Sequence, residues 1–178
     1  MADAPTLVLV TGLPGTGKAT VAEVAADLLG TAVIAHDSAM SRLRPHPAIQ
    51  AALNDVEWGH RLVGWPILAA LARAQLIENR SVVLDGVARA GQRDQCGAVV
   101  RDVGATFVVI PTECPDRAPR HSRIVGHQRS IPDWHELLWE DVEHAIAGWE
   151  QHRGDLNLDA AQPWPENEAA LRRFLADR

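Results

Sequence analysis

The stretch that most restricts how this chain folds is Gly12-Leu13-Pro14-Gly15-Thr16-Gly17-Lys18-Ala19-Thr20, set between the apolar run Thr6-Leu7-Val8-Leu9-Val10 and a segment with helical spacing. Strand, glycine-rich turn and helix in that order aim a row of backbone N–H groups and a helix N-terminus at one point, where a polyphosphate can sit. The spacing is that of a P-loop. Gly12, Gly15 and Gly17 allow backbone conformations and approaches that a Cβ would obstruct, and Lys18 brings a point charge to the β- and γ-phosphates. The same cradle includes Pro14, Thr16, Ala19 and Thr20. The position after the lysine ordinarily carries Ser or Thr with its hydroxyl on Mg²⁺; here it is Ala19. Thr20 comes one residue too late for that role, yet can bond a phosphate oxygen. A dinucleotide-binding reading, suggested by Gly15-x-Gly17 and the interval to Asp37, fails at Thr20, where a third small residue is required.

Lys18 is the only lysine in the chain, beside sixteen arginines. A compact ammonium fits between phosphates where a broad guanidinium does not. With 178 residues and 47% apolar composition, the chain reads as one domain spanning 1–178 with a real core. The apolar run at the N-terminus has no basic region before it and is too short for a signal peptide, and Leu62 to Ala72 is far short of the roughly twenty residues of a membrane span. No membrane association is expected. Cys96 and Cys114, far apart, suggest neither a disulfide framework nor a metal cluster, and so a reducing, cytoplasmic setting with both thiols buried. The eight histidines show no paired metal spacing, which favours structural roles. A net charge of −6 disfavours a nucleic-acid partner and requires any anion site to be local.

Thr6 to Val10 is the expected first strand, and Lys18 to Leu29 a helix with Val21, Val24, Ala25 and Leu28 inward and Gly30 at its end. Thr31 to Ala35 is the second strand, ending at His36-Asp37-Ser38. Strand ends of such a sheet face the ligand crevice, which makes Asp37 a candidate catalytic group; the alternative is an N-cap for the next helix. Prolines and arginines then interrupt the pattern from Met40 to His46. One long helix is expected from Ala48 to Asn79, with Trp58, Leu62, Trp65 and Leu68 on one stripe, as core or as ligand platform, and a kink at Pro66. Ser81 to Asp85 is the third strand, and its terminal Asp85 has the form of an acid that holds Mg²⁺ through water. A helix over Gln92 to Val103 and a fourth strand over Ala105 to Ile110 follow. Arg117, Arg120, Arg123 and Arg129 then cluster in an otherwise acidic chain, either as a solvated helix face or as a lid over phosphates, at about residues 114–132. The remaining expectations are a helix over Asp133 to Trp149 with Trp134, Leu138, Val142, Ile146 and Trp149 inward, a short strand over Asp155 to Asp159, and a closing helix over Pro165 to Arg178.

This order of elements, with the P-loop at the first turn, Asp37 after strand two, Asp85 after strand three and arginines after strand four, resembles the small P-loop kinases grouped with polynucleotide kinase, chloramphenicol phosphotransferase and the zeta toxins. Arg123-Ile124-Val125-Gly126-His127-Gln128-Arg129-Ser130-Ile131-Pro132-Asp133-Trp134 is similar to the lid region of bacterial members of that group whose substrate is unknown. The resemblance covers most of the chain, but only the P-loop is a specific motif. It implies an α/β fold of the P-loop NTPase type, a parallel five-stranded sheet in the order 2-3-1-4-5 with helices on both faces, and an arginine-rich lid. It further implies ATP with Mg²⁺ on the P-loop, Lys18 neutralising phosphates, Asp37 accepting the proton of the attacking hydroxyl, and Arg120, Arg123 or Arg129 stabilising charge as the phosphoryl group moves. Leu84-Asp85-Gly86-Val87-Ala88-Arg89 is only weakly similar to the Asp-Gly-aromatic-Pro-Arg signature of adenylate kinases, since the aromatic residue and the proline are missing.

The expected activity is transfer of the γ-phosphate of ATP to a hydroxyl of a small molecule, with an antibiotic or other specialised metabolite as one acceptor class. The alternatives are a nucleoside or nucleotide kinase, and a nucleotide-binding regulator with little catalysis, which Ala19 favours. Oligomeric state is not legible.

Overall fold

A computed structural model describes residues 4–43, 45–55, 59–125, 131, 137–146 and 148–176. Strand β1 (Thr6–Thr11) is the central strand. It is flanked by β3 (Val82–Gly86) and β4 (Thr106–Glu113), with β2 (Val33–Ala35) outside β3 and β5 (Leu158–Asp159) outside β4. All pairs are parallel, and the order 2-3-1-4-5 is the one the family resemblance implies.

The apolar continuity of β1 follows from its burial on both faces. Val8 and Val10 pack towards helix α1 (Lys18–Leu29) and helix α8 (Trp164–Ala176), joined by Val21, Ala25 and Leu171. Leu7 and Leu9 face the other way, towards α4 (Gly59–Ile77) and α5 (Ala90–Val103), among Trp65, Leu68, Cys96 and Val100. Two helical layers thus cover one sheet, and alternation along a single strand divides the core. Trp65 is 2% exposed, which places it in the core rather than on a ligand platform. Cys96 and Cys114 are both free and buried, as expected.

Several boundaries differ from expectation. The long helix is two, α3 (Pro47–Asn54) and α4, with Pro47 supplying the first-turn proline of the former. Helix α4 runs through Pro66, and Leu62 is 60% exposed, so it leaves the proposed inward stripe. Trp58 lies outside the described residues. Leu28, expected inward on α1, is 38% exposed; Ala22 and Ala26 take the buried face instead. The helix expected over 133–149 is described as α7 (Trp139–Ile146), where Val142 and Ala145 are buried and Leu138 is 62% exposed; Trp134 falls outside the described residues.

Strand β4 extends three residues beyond Ile110, while the last strand shortens to Leu158–Asp159. One residue accounts for the shortening. Asp155 N–H donates to the Val109 carbonyl and Asp155 Oδ2 accepts from Val109 N–H, both at 2.8 Å, so a loop satisfies the edge of β4 without a ladder. Among the described residues, no helix is long and apolar enough to cross a membrane.

Candidate active site

Register brings the candidate residues to one sheet edge. Val10 pairs with Asp85, and Asp85 with Ala35, so Gly12, Asp85 and Asp37 follow the same row of three strands at their C-terminal ends. Adjacent strands lie about 4.8 Å apart, which places the β2 and β1 termini within about 10 Å.

The loop between β1 and α1 is anchored from below. Buried Thr16 donates its hydroxyl to the Leu13 carbonyl at 2.7 Å and lies 2.7 Å from Thr112 Oγ1 on β4. Lys18 Nζ donates to the same Leu13 carbonyl at 3.0 Å. Gly12 has no alternative at this point, because a Cβ would run into the Thr112 carbonyl oxygen and stand 2.8 Å from Thr16 Oγ1. Gly15 has φ 79° and faces Arg120, whose Cγ lies 2.8 Å from where a Cβ on Gly15 would be. Pro14, within the loop, is buried.

The first turn of α1 carries the fit to phosphate. Its N-cap, Gly17, has φ 83° and no side-chain cap, there is no acidic residue in the turn, and the space above Gly17 is open. Lys18, Ala19 and Thr20 open the helix, so their N–H groups are among those an α-helix leaves without intrahelical partners. An uncapped positive helix end beside an ammonium suits the phosphates of ATP. The fit to Mg²⁺ is thinner. Ala19 has no oxygen, Thr20 is exposed one position further on, and no group of three or more His, Cys, Asp or Glu could hold a metal among the described residues. Asp85, with Oδ1 buried, is the carboxylate at the right edge, although it is the penultimate residue of β3 rather than its end. A metal here would depend on phosphate oxygens and water for most of its ligands.

Asp37 is the second residue of helix α2 (His36–Ser41), not its N-cap, which is Ala35 without a side-chain cap bond. The capping alternative is therefore removed. Its Oδ1 lies 3.2 Å from Nδ1 of His36, a ring that is 7% exposed and stacked on Trp65 with centroids 5.7 Å apart. A Cβ on Gly64 would strike His36 Nε2, so α4 presents bare backbone to this ring. From the sequence only the adjacency of this pair is legible; Trp65 and Gly64 arrive from a separate helix.

Helix α6 (Arg117–Val125) lies over the loop. Arg123 donates to the carbonyls of Gly15 at 3.4 Å and Ala160 at 2.9 Å. Arg120 donates to the Cys114 carbonyl at 3.5 Å and sits over the Trp139 ring, 5.8 Å from its centroid. Arg117 stacks on the same ring and pairs with Glu143 on α7. Arg120 and Arg123 thus meet the P-loop; Arg129 lies outside the described residues. Thr112 is a site residue that sequence reading missed, since nothing local marks a strand threonine as the support of a loop 96 residues earlier.

A family model described as AAA domain matches residues 7–140. This chain belongs to the AAA-domain family. A UPF0200 protein of Aeropyrum pernix is 30% identical over 141 residues, covering 77% of this AAA domain chain and 71% of the relative. Among solved structures, a gluconokinase from Sinorhizobium meliloti is 22% identical with a TM-score of 0.67, covering 99% of this chain and 94% of that one. Kti12 of Chaetomium thermophilum, solved with ADP-AlF3, is 18% identical with a TM-score of 0.70 and 96% coverage of each chain. At these identities the two structures share the fold of the AAA domain, a P-loop α/β sheet in the order 2-3-1-4-5.

Proposed function

We propose that this protein is an ATP-dependent kinase that phosphorylates a hydroxyl of a small molecule. The observation that carries the reading is the uncapped first turn of α1, with Lys18 at its start and Asp37 two residues beyond the β2 strand on the same sheet edge. The gluconokinase fold match supports a small hydroxyl acceptor, and the ADP-AlF3 complex of Kti12 supports a nucleotide in this fold.

Bound ATP would supply the phosphoryl group, and Mg²⁺ would offset its charge. The N–H groups of Lys18, Ala19 and Thr20 bind phosphate oxygens, with the Lys18 ammonium turning from the Leu13 carbonyl to meet them. Asp37, oriented through His36, accepts the proton of the acceptor hydroxyl. Arg120 and Arg123, already against Gly15, place positive charge beside the loop, and Arg129 is assigned to the same lid. Asp85 is the carboxylate that would help hold a Mg²⁺ ion through water, and the ion would supply positive charge beside the phosphates. Positioning and charge stabilisation provide most of the acceleration in such a transfer, with one residue to orient the nucleophile.

Ala19 favours one second reading, a nucleotide-binding regulator with little turnover. Restoring the hydroxyl separates the two. Ala19→Ser is expected to raise Mg²⁺-dependent turnover about tenfold in a kinase with weakened metal binding. Unchanged turnover together with tight nucleotide binding, lost in Lys18→Ala, would favour the regulator.

A further inference from the structure

A groove on the flank of the sheet runs along α5, bounded by β4 and by the loop at 152–155, with a volume of about 380 Å³. None of its lining residues belongs to the P-loop. Its floor is Gly97 with Phe107 and Val109. Arg93, Gly97 and Arg101 recur at intervals of four on α5, so two arginines share a helix face with a gap between them. Arg101 folds back over that gap. Its Nη1 lies 3.3 Å from where a Cβ on Gly97 would be, which turns its guanidinium towards Arg93. Arg153, from the loop at 152–155, also lines the groove.

Converging guanidinium groups repel unless an anion lies among them. Asp94 and Asp155 line the same groove, yet among the described residues none of Arg93, Arg101 and Arg153 forms an ion pair, whereas Arg73 pairs with Asp102 at 2.8 Å. One oxygen of Asp155 is already committed to Val109 N–H. Arg93 Nη1 donates to the Ala88 carbonyl at 3.2 Å and lies 3.2 Å from His152 Nδ1, which also lies 3.4 Å from the Glu150 carbonyl. His152 Nε2 is buried and has no hydrogen-bond partner among the described residues. Burial and the neighbouring Arg93 hold His152 below the ordinary imidazole value, so it adds no positive charge to the groove.

We infer that this groove is a second oxyanion site, independent of the P-loop, that takes the phosphoryl group of a small phosphorylated molecule. Three guanidinium groups, two from α5 and one from the loop at 152–155, match the three terminal oxygens of a tetrahedral phosphate better than the two oxygens of a planar carboxylate. Phe107 and Val109 then provide an apolar floor for the organic part of the ligand.

The test is a titration with glycerol phosphate and inorganic phosphate, followed by backbone amide NMR shifts at Gly97, Val109 and Gly154, at constant ionic strength. Saturable shifts at these amides are expected in wild type and unchanged in Lys18→Ala. Arg101→Gln/Arg153→Gln, whose side chains are exposed and whose fold should persist, is expected to weaken binding by about tenfold or more. Gly97→Ala, which places a methyl against Arg101 and Phe107, is expected to weaken it as well. Shifts confined to residues 12–20, shifts that never saturate, or full affinity in the double variant would each overturn the site. Shifts with inorganic phosphate alone would establish the oxyanion pocket and overturn the organic floor.

Discussion

Asp37 shows how much a single residue can be read from sequence and where that reading stops. Its place after a strand was legible, because the apolar run before it ends there. Its helical position was not, because β2 is only three residues long and the backbone turns at His36. The contact with His36, and the burial of that ring against Trp65 and Gly64, depend on a helix more than twenty residues away. Two other residues carry expectations of their own. Burial pushes the Cys96 thiol up to about 12, so in the native protein at neutral pH it should resist iodoacetamide and label only on unfolding; rapid native labelling would show that the α5 face opens. His152 titrates below its ordinary value of 6.5 because burial and Arg93 disfavour the charged form. The unfolded chain therefore binds the proton first as pH falls through 6.5, and the folded protein loses stability below that point. The unfolding midpoint in His152→Gln should fall less between pH 7 and 5.5 than in wild type; equal slopes would remove His152 as the cause.

Among the elements, β1, α1 and α5 were legible because each obeys a local rule: unbroken apolar character, helical spacing, and a terminal glycine at Gly30 or Gly104. Helices α3 and α4 read as one because their shared apolar content hides the break after Asn54. The edge of β4 was misread because Asp155 satisfies it through a side chain, which no strand pattern records. Helix α6 is held to the P-loop by Arg123, which bridges Gly15 and Ala160. Both bonds are at the surface and together are worth about 1–2 kcal/mol at most. Arg123→Ala should therefore leave the unfolding midpoint almost unchanged while amide hydrogen exchange across α6 speeds up severalfold; unaltered exchange would mean that Ile124 and Trp139 hold the helix without it.

At the scale of the molecule, one strand divides the core into two layers, so damage to it should be global. Leu9→Ala removes a side chain with no exposure, and should cost about 2–5 kcal/mol in denaturant unfolding. The same strand delivers the P-loop, while β2 and β3 bring Asp37 and Asp85 to its edge, so the placement of these residues at one edge followed from element order even where boundaries were wrong. The acceptor could not, since no motif in the sequence marks the chemistry of an acceptor site. The most direct measurement is ADP formation from Mg²⁺-ATP, with and without a pooled panel of sugars, nucleosides, antibiotics and other hydroxyl-bearing metabolites, in wild type and Asp37→Ala side by side. The expected result is acceptor-stimulated ADP formation that falls about a hundredfold or more in Asp37→Ala while nucleotide affinity stays the same. Tight ATP binding with no acceptor stimulation, or equal turnover in the two proteins, would contradict a kinase that uses Asp37 as its base.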